Sequence, residues 1–185
     1  MPNWCENIFE ISGPKEKIKA LYEESSRKTS DSSVDDADTQ LLQSMCPMPD
    51  ELNGTTSPSD GPNWYDWRIT NWGTKWEVSV DDLEYEEEGD DTATLTGNFE
   101  SAWSPPIEAF RFYAENNPDV SVSLHYCEEV PQYAGYFFFS DGEEDSEQFD
   151  LEDETAESVM DLVGAELDDM FCISDRLSTG DDEDE

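Results

Sequence analysis

Thr92-Ala93-Thr94-Leu95-Thr96-Gly97-Asn98-Phe99 puts Ala93, Leu95, Gly97 and Phe99 in strict alternation with polar residues. That period of two is the pattern of a strand with one buried and one wet face. Just upstream, Val78 and Val80 alternate with Glu77, Ser79 and Asp81. The two runs predict an antiparallel hairpin whose turn is the acidic stretch 81–91.

Working outward toward the N-terminus, Trp4, Ile8, Phe9 and Ile11 are closed by Ser12-Gly13-Pro14, which predicts a first strand ending at a turn. A helix follows, with Gly13 as cap and Pro14 in its first position. Glu16 sits in its first turn, and Ile18, Leu21 and Tyr22 share one face. Toward the C-terminus, Ser104-Pro105-Pro106 starts a second helix with Ile107, Phe110, Tyr113 and Ala114 on one face, ended by Asn116-Asn117-Pro118. Val120, Val122, Leu124 and Tyr126 then alternate with Ser121, Ser123 and His125, and an apolar run covers 136–139, so one or two strands close the domain. The order β-α-β-β-α-β is an α+β, ferredoxin-like split βαβ: an antiparallel sheet with two helices on one face.

This reading assigns residues 1–142 to the domain, with a loop insertion at about 25–63. Residues 25–40 are rich in Ser, Thr and Asp and read as a mobile loop, Leu41, Leu42 and Met45 as one helical turn, and residues 53–63 as a surface loop. Residues 143–185 form an acidic extension. From Asp141 onward there are 20 Asp or Glu and one basic residue, Arg176. Within it, Met160, Val163, Leu167, Met170 and Phe171 predict an amphipathic helix over about 153–172, docked on the domain or on a partner, and residues 181–185 are expected to be disordered.

The 48 acidic and 9 basic residues give a net charge of -39, far beyond the magnitude of about 2–8 that keeps a small domain soluble. Such a chain repels nucleic acid and anionic membranes and attracts basic partners. The 6 Trp, 7 Tyr and 9 Phe still supply a core. No apolar run approaches the ~18 residues of a membrane span, and the N-terminus lacks a basic region followed by an apolar one, so a cytoplasmic protein is expected. Cys5, Cys46, Cys127 and Cys172 are widely separated, which argues for free thiols and against a zinc or redox motif.

Two segments are candidate binding surfaces. The first is the acidic set Asp81, Asp82, Glu84, Glu86, Glu87, Glu88, Asp90 and Asp91, together with Asp141, Glu143, Glu144, Asp145 and Glu147. In an extended chain Glu84, Glu86 and Glu88 share a face about 7 Å apart, a row that resembles phosphates to an Arg/Lys groove. A solvated charge run is the ordinary alternative. The second is the aromatic segment with Trp64, Tyr65, Trp67, Arg68, Trp72 and Lys75, residue types common at binding hot spots. Its ordinary alternative is an irregular segment pinned to the sheet by cation–π contacts of roughly 0.5–2 kcal/mol. His125 reads as a plain strand residue. With no phosphate loop, nucleophile elbow or metal-ligand spacing in the sequence, neither an enzyme nor a cofactor is expected.

Met1-Pro2-Asn3-Trp4-Cys5-Glu6-Asn7, Met48-Pro49, Tyr65-Asp66-Trp67-Arg68, Asn71-Trp72-Gly73-Thr74-Lys75-Trp76 and Ala102-Trp103-Ser104-Pro105-Pro106 together resemble the YubB-type ferredoxin-like family of phages and plasmids over residues 1–142. The resemblance implies a ferredoxin-like fold and a mobile-element origin, with no catalytic residues to carry over. With the charge, it leads to the expectation of a phage or plasmid accessory protein that binds a basic, nucleic-acid-binding host protein as a DNA mimic and inhibits host defence. The alternative is an interaction module that uses the Trp-rich segment, its acidity serving solubility or high-salt adaptation.

Overall fold

The computed structural model describes residues 3–27, 37–55, 61–128, 130 and 132–180. The expectations for residues 181–185, and for much of the 25–40 and 53–63 loops, lie outside these residues. Six strands form one antiparallel sheet in the order β2-β3-β1-β4-β5-β6. They are β1 (Trp4–Pro14), β2 (Val80–Glu88), β3 (Thr92–Ala102), β4 (Ser121–Glu128), β5 (Tyr133–Ser140) and β6 (Glu143–Asp150). The helices are α1 (Lys15–Ser25), α2 (Leu41–Met45), α3 (Trp64–Asn71), α4 (Ile107–Asn116), α5 (Ala156–Phe171) and α6 (Ile173–Gly180).

The ferredoxin-like split βαβ is present. β1 pairs with β3 on one side, Phe9 opposite Gly97, and with β4 on the other, Phe9 opposite Leu124. Alternation along these registers sends Phe9, Ile11, Leu95, Phe99, Val122, Leu124, Phe137 and Phe139 to one face, here called the core face, under α1, α2 and α4. Phe9, Phe99 and Phe110 of α4 form an aromatic cluster with centroids 5.7–6.3 Å apart. The other face carries α5 and α6 at one end only. There Leu151, Val159, Leu167, Phe171 and Ile173 build a second core with Cys127 and Ala134, each fully buried aliphatic or aromatic side chain contributing roughly 1.5–3 kcal/mol before entropy. The C-terminal helix therefore docks on the domain.

Several expectations need correction. Residues 81–88 are not turn but strand: β2 runs to Glu88, with a bulge between Asp81 and Glu84 where Asp82 takes a φ of 49°. Residues 143–150, placed in the extension, are β6, so the sheet continues past residue 142. Segment 64–71 is a helix and not irregular: the Asn63 side chain caps it by accepting from the Asp66 N–H at 2.9 Å. Pro14, and not Gly13, occupies the N-cap of α1. Ser104 does not cap α4; its hydroxyl donates to the Gly73 carbonyl. Acidic side chains also do structural work. Both Glu77 carboxylate oxygens accept N–H groups at the start of α2, and Asp168 accepts the N–H and hydroxyl of Ser174 in α6.

The Tyr126 side chain of β4 reaches across β5 to Gln148 of β6, and only glycine fits beneath it on β5. A Cβ at Gly135 would stand 2.4 Å from the Glu147 carbonyl oxygen and 2.5 Å from the Tyr126 hydroxyl. Gly135→Ala is expected to cost about 1–3 kcal/mol and to strip hydrogen-exchange protection from β6 first. Unchanged β6 protection would show that this close approach does not hold the strand.

Candidate functional site

The register divides the carboxylates by side. Asp81, Glu84, Glu86 and Glu88 of β2, Glu6 and Glu10 of β1, Glu100 of β3, and Glu143, Asp145 and Glu147 of β6 all fall on the face opposite the main core. No strand position on this open face is Lys or Arg. The cations α1 and α4 carry toward the core face pair there: Lys15 with Glu87 at 2.5 Å, Lys17 with Asp119 at 2.5 Å, and Arg111 with Glu144 at 2.8 Å and Glu108 at 2.5 Å. Those pairs hold Glu87, Asp119 and Glu144 below the usual carboxylate range, the ammonium or guanidinium hydrogen bond being the main cause in each. Arg176 of α6 reaches the open face at its covered end, where it forks onto Glu6 at 2.7 and 2.8 Å.

The thirteen acidic candidates are all exposed, and the structure does not gather them into one cluster. Glu84, Glu86 and Glu88 form one row on edge strand β2, and Glu143, Asp145 and Glu147 a second on edge strand β6. Five strand spacings, about 24 Å, separate the rows. Asp82 sits on the bulge, Glu87 and Glu144 point to the core side, and Asp90, Asp91 and Asp141 lie in the two turns at one end of the sheet.

Between the rows the open face is concave. A hollow of about 740 Å³ is lined by Ile8, Glu10, Asp82, Glu84, Thr96, Asn98, Ser123 and His125 from the sheet and by Glu166 and Met170 from α5. Smaller hollows of about 300 and 250 Å³ continue it toward Asp81 and Glu100 on one side and toward Tyr136, Phe138 and Asp145 on the other. α5 arches over this channel. A capping box of Thr155 and Ser158 starts it, and Gly164, at a φ of 81°, kinks it midway. Burial lowers the His125 imidazole from its ordinary 6.5, with the Glu166 carboxylate opposing the shift.

Glu10, His125, Glu166 and Met170 were not among the candidate residues. A signal for the first two existed, since His125 alternates with the buried Val122 and Leu124 and so belongs to the wet side of β4. Nothing in the sequence brings Glu166 and Met170 to that face. The aromatic segment divides differently. Trp72 is fully buried, its indole N–H donating to the Cys46 carbonyl at 2.7 Å, and Arg68, 5% exposed, lies 4.5 Å over that ring. These two cannot contact a partner. Trp64 and Trp67 pack half-buried against the core, Lys75 lies 4.3 Å over the Trp76 ring, and Tyr65 is exposed.

The tryptophan on display is Trp103, 55% exposed at a φ of 71°. Its N–H donates to Asn3 O at 2.9 Å and its carbonyl accepts from the Tyr133 hydroxyl at 2.8 Å, which fixes this left-handed conformation. Cys5, Cys46 and Cys127 are buried free thiols, raised by that burial to about 12, 11 and 12; Cys172 is exposed. Among the described residues no group of three or more His, Cys, Asp or Glu is placed to hold a metal ion, and no helix is long and apolar enough to cross a membrane.

The fold and site together define a ferredoxin-like module with one acidic, grooved sheet face. A family model described as the ferredoxin-like domain in Api92-like protein matches residues 72–173, more than half of the chain, and the chain belongs to that family. The match runs past residue 142, where the motif resemblance stopped, through β6 and α5. It leaves out β1, the strand at the middle of the sheet. Among solved structures, a protein api92 from Yersinia pseudotuberculosis aligns with 80% of this chain and 98% of its own at 11% identity and a TM-score of 0.44. No curated protein matches the chain.

Two expectations follow. Trp103→Gly trades strain of roughly 1–2 kcal/mol against partial packing and should move unfolding stability by no more than about 1 kcal/mol, whereas Trp72→Ala should cost about 3–5 kcal/mol. Equal losses in thermal or urea unfolding would mean that Trp103 is a packing residue. For His125 the folded value lies below the unfolded one, so as pH falls the unfolded chain takes up the proton first. Its contribution to stability is full above 6.5 and is lost as pH drops from there toward the folded value. His125→Gln should remove that part of the slope in urea unfolding midpoints between about pH 7.5 and about pH 5.5; superimposable profiles would count against it.

Proposed function

We propose that this chain is a non-enzymatic binding module whose open sheet face engages a basic, nucleic-acid-binding protein in place of DNA. The observation that carries the reading is the segregation of charge: carboxylates of β1, β2, β3 and β6 stand on the open face, while the paired lysines and Arg111 stand on the core side. A row pitch of about 7 Å is that of every second phosphate on a strand whose charges rise about 3.4 Å apart. A preformed face of this kind spares its partner the cost of ordering a flexible polyanion. Burial of three of the four thiols, which keeps them protonated, is in keeping with binding in preference to catalysis. In its finer form the proposal is that of a phage or plasmid accessory protein acting in the host cytoplasm against a defence nuclease or CRISPR effector. That form takes its motive from the YubB-type motifs.

A second reading is favoured by Trp103: an aromatic contact at the opposite end of the sheet from the acidic turns, with the charge serving solubility or high-salt adaptation. Competition with duplex DNA for a basic DNA-binding domain separates the two. The parent protein should displace the DNA, with affinity falling by up to about 10³-fold between roughly 50 and 200 mM salt. Replacing Glu84, Glu86, Glu88, Glu143 and Glu147 by Gln and Asp145 by Asn should abolish displacement, and Trp103→Gly should not. Displacement that survives neutralisation and is lost with Trp103 would transfer the function to the aromatic end.

A further inference from the structure

We infer that the channel between α5 and the sheet is a seat for one extended, arginine-bearing segment of a partner protein. This rests on the basic-partner reading above and names the part of the partner that is bound. Carboxylates alone would not define a site; the channel does. It is continuous, because the central hollow shares Ile8, Asn98 and Met170 with the hollow on the β2 side and Ser123, His125 and Glu166 with the one on the β5 side. It crosses the strands from Asp81 to Asp145, at most about 24 Å, which an extended chain of about seven residues spans.

Its walls suit arginine. Ile8 and the part-exposed Met170 offer apolar surface to an aliphatic stem, while Glu10, Glu84 and Glu166 stand where the charged head would lie. A guanidinium is weakly hydrated, flat and able to take a carboxylate with two parallel N–H bonds, so it loses less than an ammonium on entering a half-closed channel. Thr96, Asn98 and Ser123 leave hydroxyl and amide groups for the partner's main chain. A polyamine carries donors but no carbonyl acceptors, so it can use only the acceptor oxygens of those groups, whereas a peptide main chain can use their donors as well. The C-terminal helix therefore contributes one wall of the binding site, through Glu166 and Met170.

The test is fluorescence anisotropy of a labelled Arg-Ser-Arg-Ser-Arg-Ser-Arg peptide on the full chain at fixed ionic strength, paired with amide and methyl NMR shifts. Saturable binding is expected, with shifts at Thr96, Ser123, His125 and the Met170 methyl. Glu10→Gln with Glu166→Gln should weaken it at least about tenfold, and the same number of changes on the exposed backs of α1 and α4, Glu23→Gln with Glu115→Gln, by less than about threefold. The isosteric Gln variants are to be checked for parental amide spectra, and Ser123→Tyr, which fills the floor, gives an independent block. Equal weakening by the two pairs, or spermine competing as well as the peptide at equal charge, would overturn the channel and leave a diffuse acidic face. No peptide binding alongside intact displacement of DNA would also overturn it while the proposed function stands. Failure of both assays would remove both.

Discussion

Everything distinctive about this protein depends on the two-sided pairing of β1. Held by β3 on one edge and β4 on the other, this eleven-residue strand fixes a single parity for the whole sheet. Because a strand turns alternate side chains to opposite faces, one register decides both where Phe9 and Ile11 are buried and where Glu6 and Glu10 emerge. A slip of one residue would put carboxylates under α1 and α4, and the cost of burying them unpaired makes the register strongly determined. Chain folding and charge segregation are thus one event.

The site is built from elements with little apolar content of their own. β2 and β6 lie at the sheet edges, where main-chain pairing to a single neighbour suffices and side chains need bury almost nothing: no residue of either strand is fully buried. Their acidity suits the location, since charged side chains are a common guard on exposed edges. In the proposed function the same guard is the binding surface, so the structural and the functional uses of these residues do not compete. α5 adds the third dimension. Docked by Leu167 and Phe171 and kinked at Gly164, it turns a shallow sheet face into a channel.

How much of this the sequence disclosed follows from the same distinction. Elements that pack against something announced themselves: β3 by its alternation, α4 by Ile107, Phe110, Tyr113 and Ala114, α5 by its helical stripe. Elements held by backbone pairing alone did not. Glu143-Glu144-Asp145-Ser146-Glu147-Gln148 has no apolar period because both of its faces are open, and 81–88 looked like a turn because its acidic residues outnumber Leu83 and Tyr85, the two that pack against the core. In 64–76, tryptophan content concealed the helix, whose real signal was Asn63 followed three residues later by Asp66. The site was legible in its chemistry and not in its shape. The acidic rows were found by counting, but the wall that α5 contributes depends on a fold-back that no local pattern encodes.

The two acidic edges have one further consequence. An open sheet ordinarily invites stacking by identical neighbours, edge against edge, which is the route to fibrils. Here each rim meets the rim of another copy with like charge, so crowding pushes molecules apart, and free sheet edges can stand at high concentration without seeding aggregates.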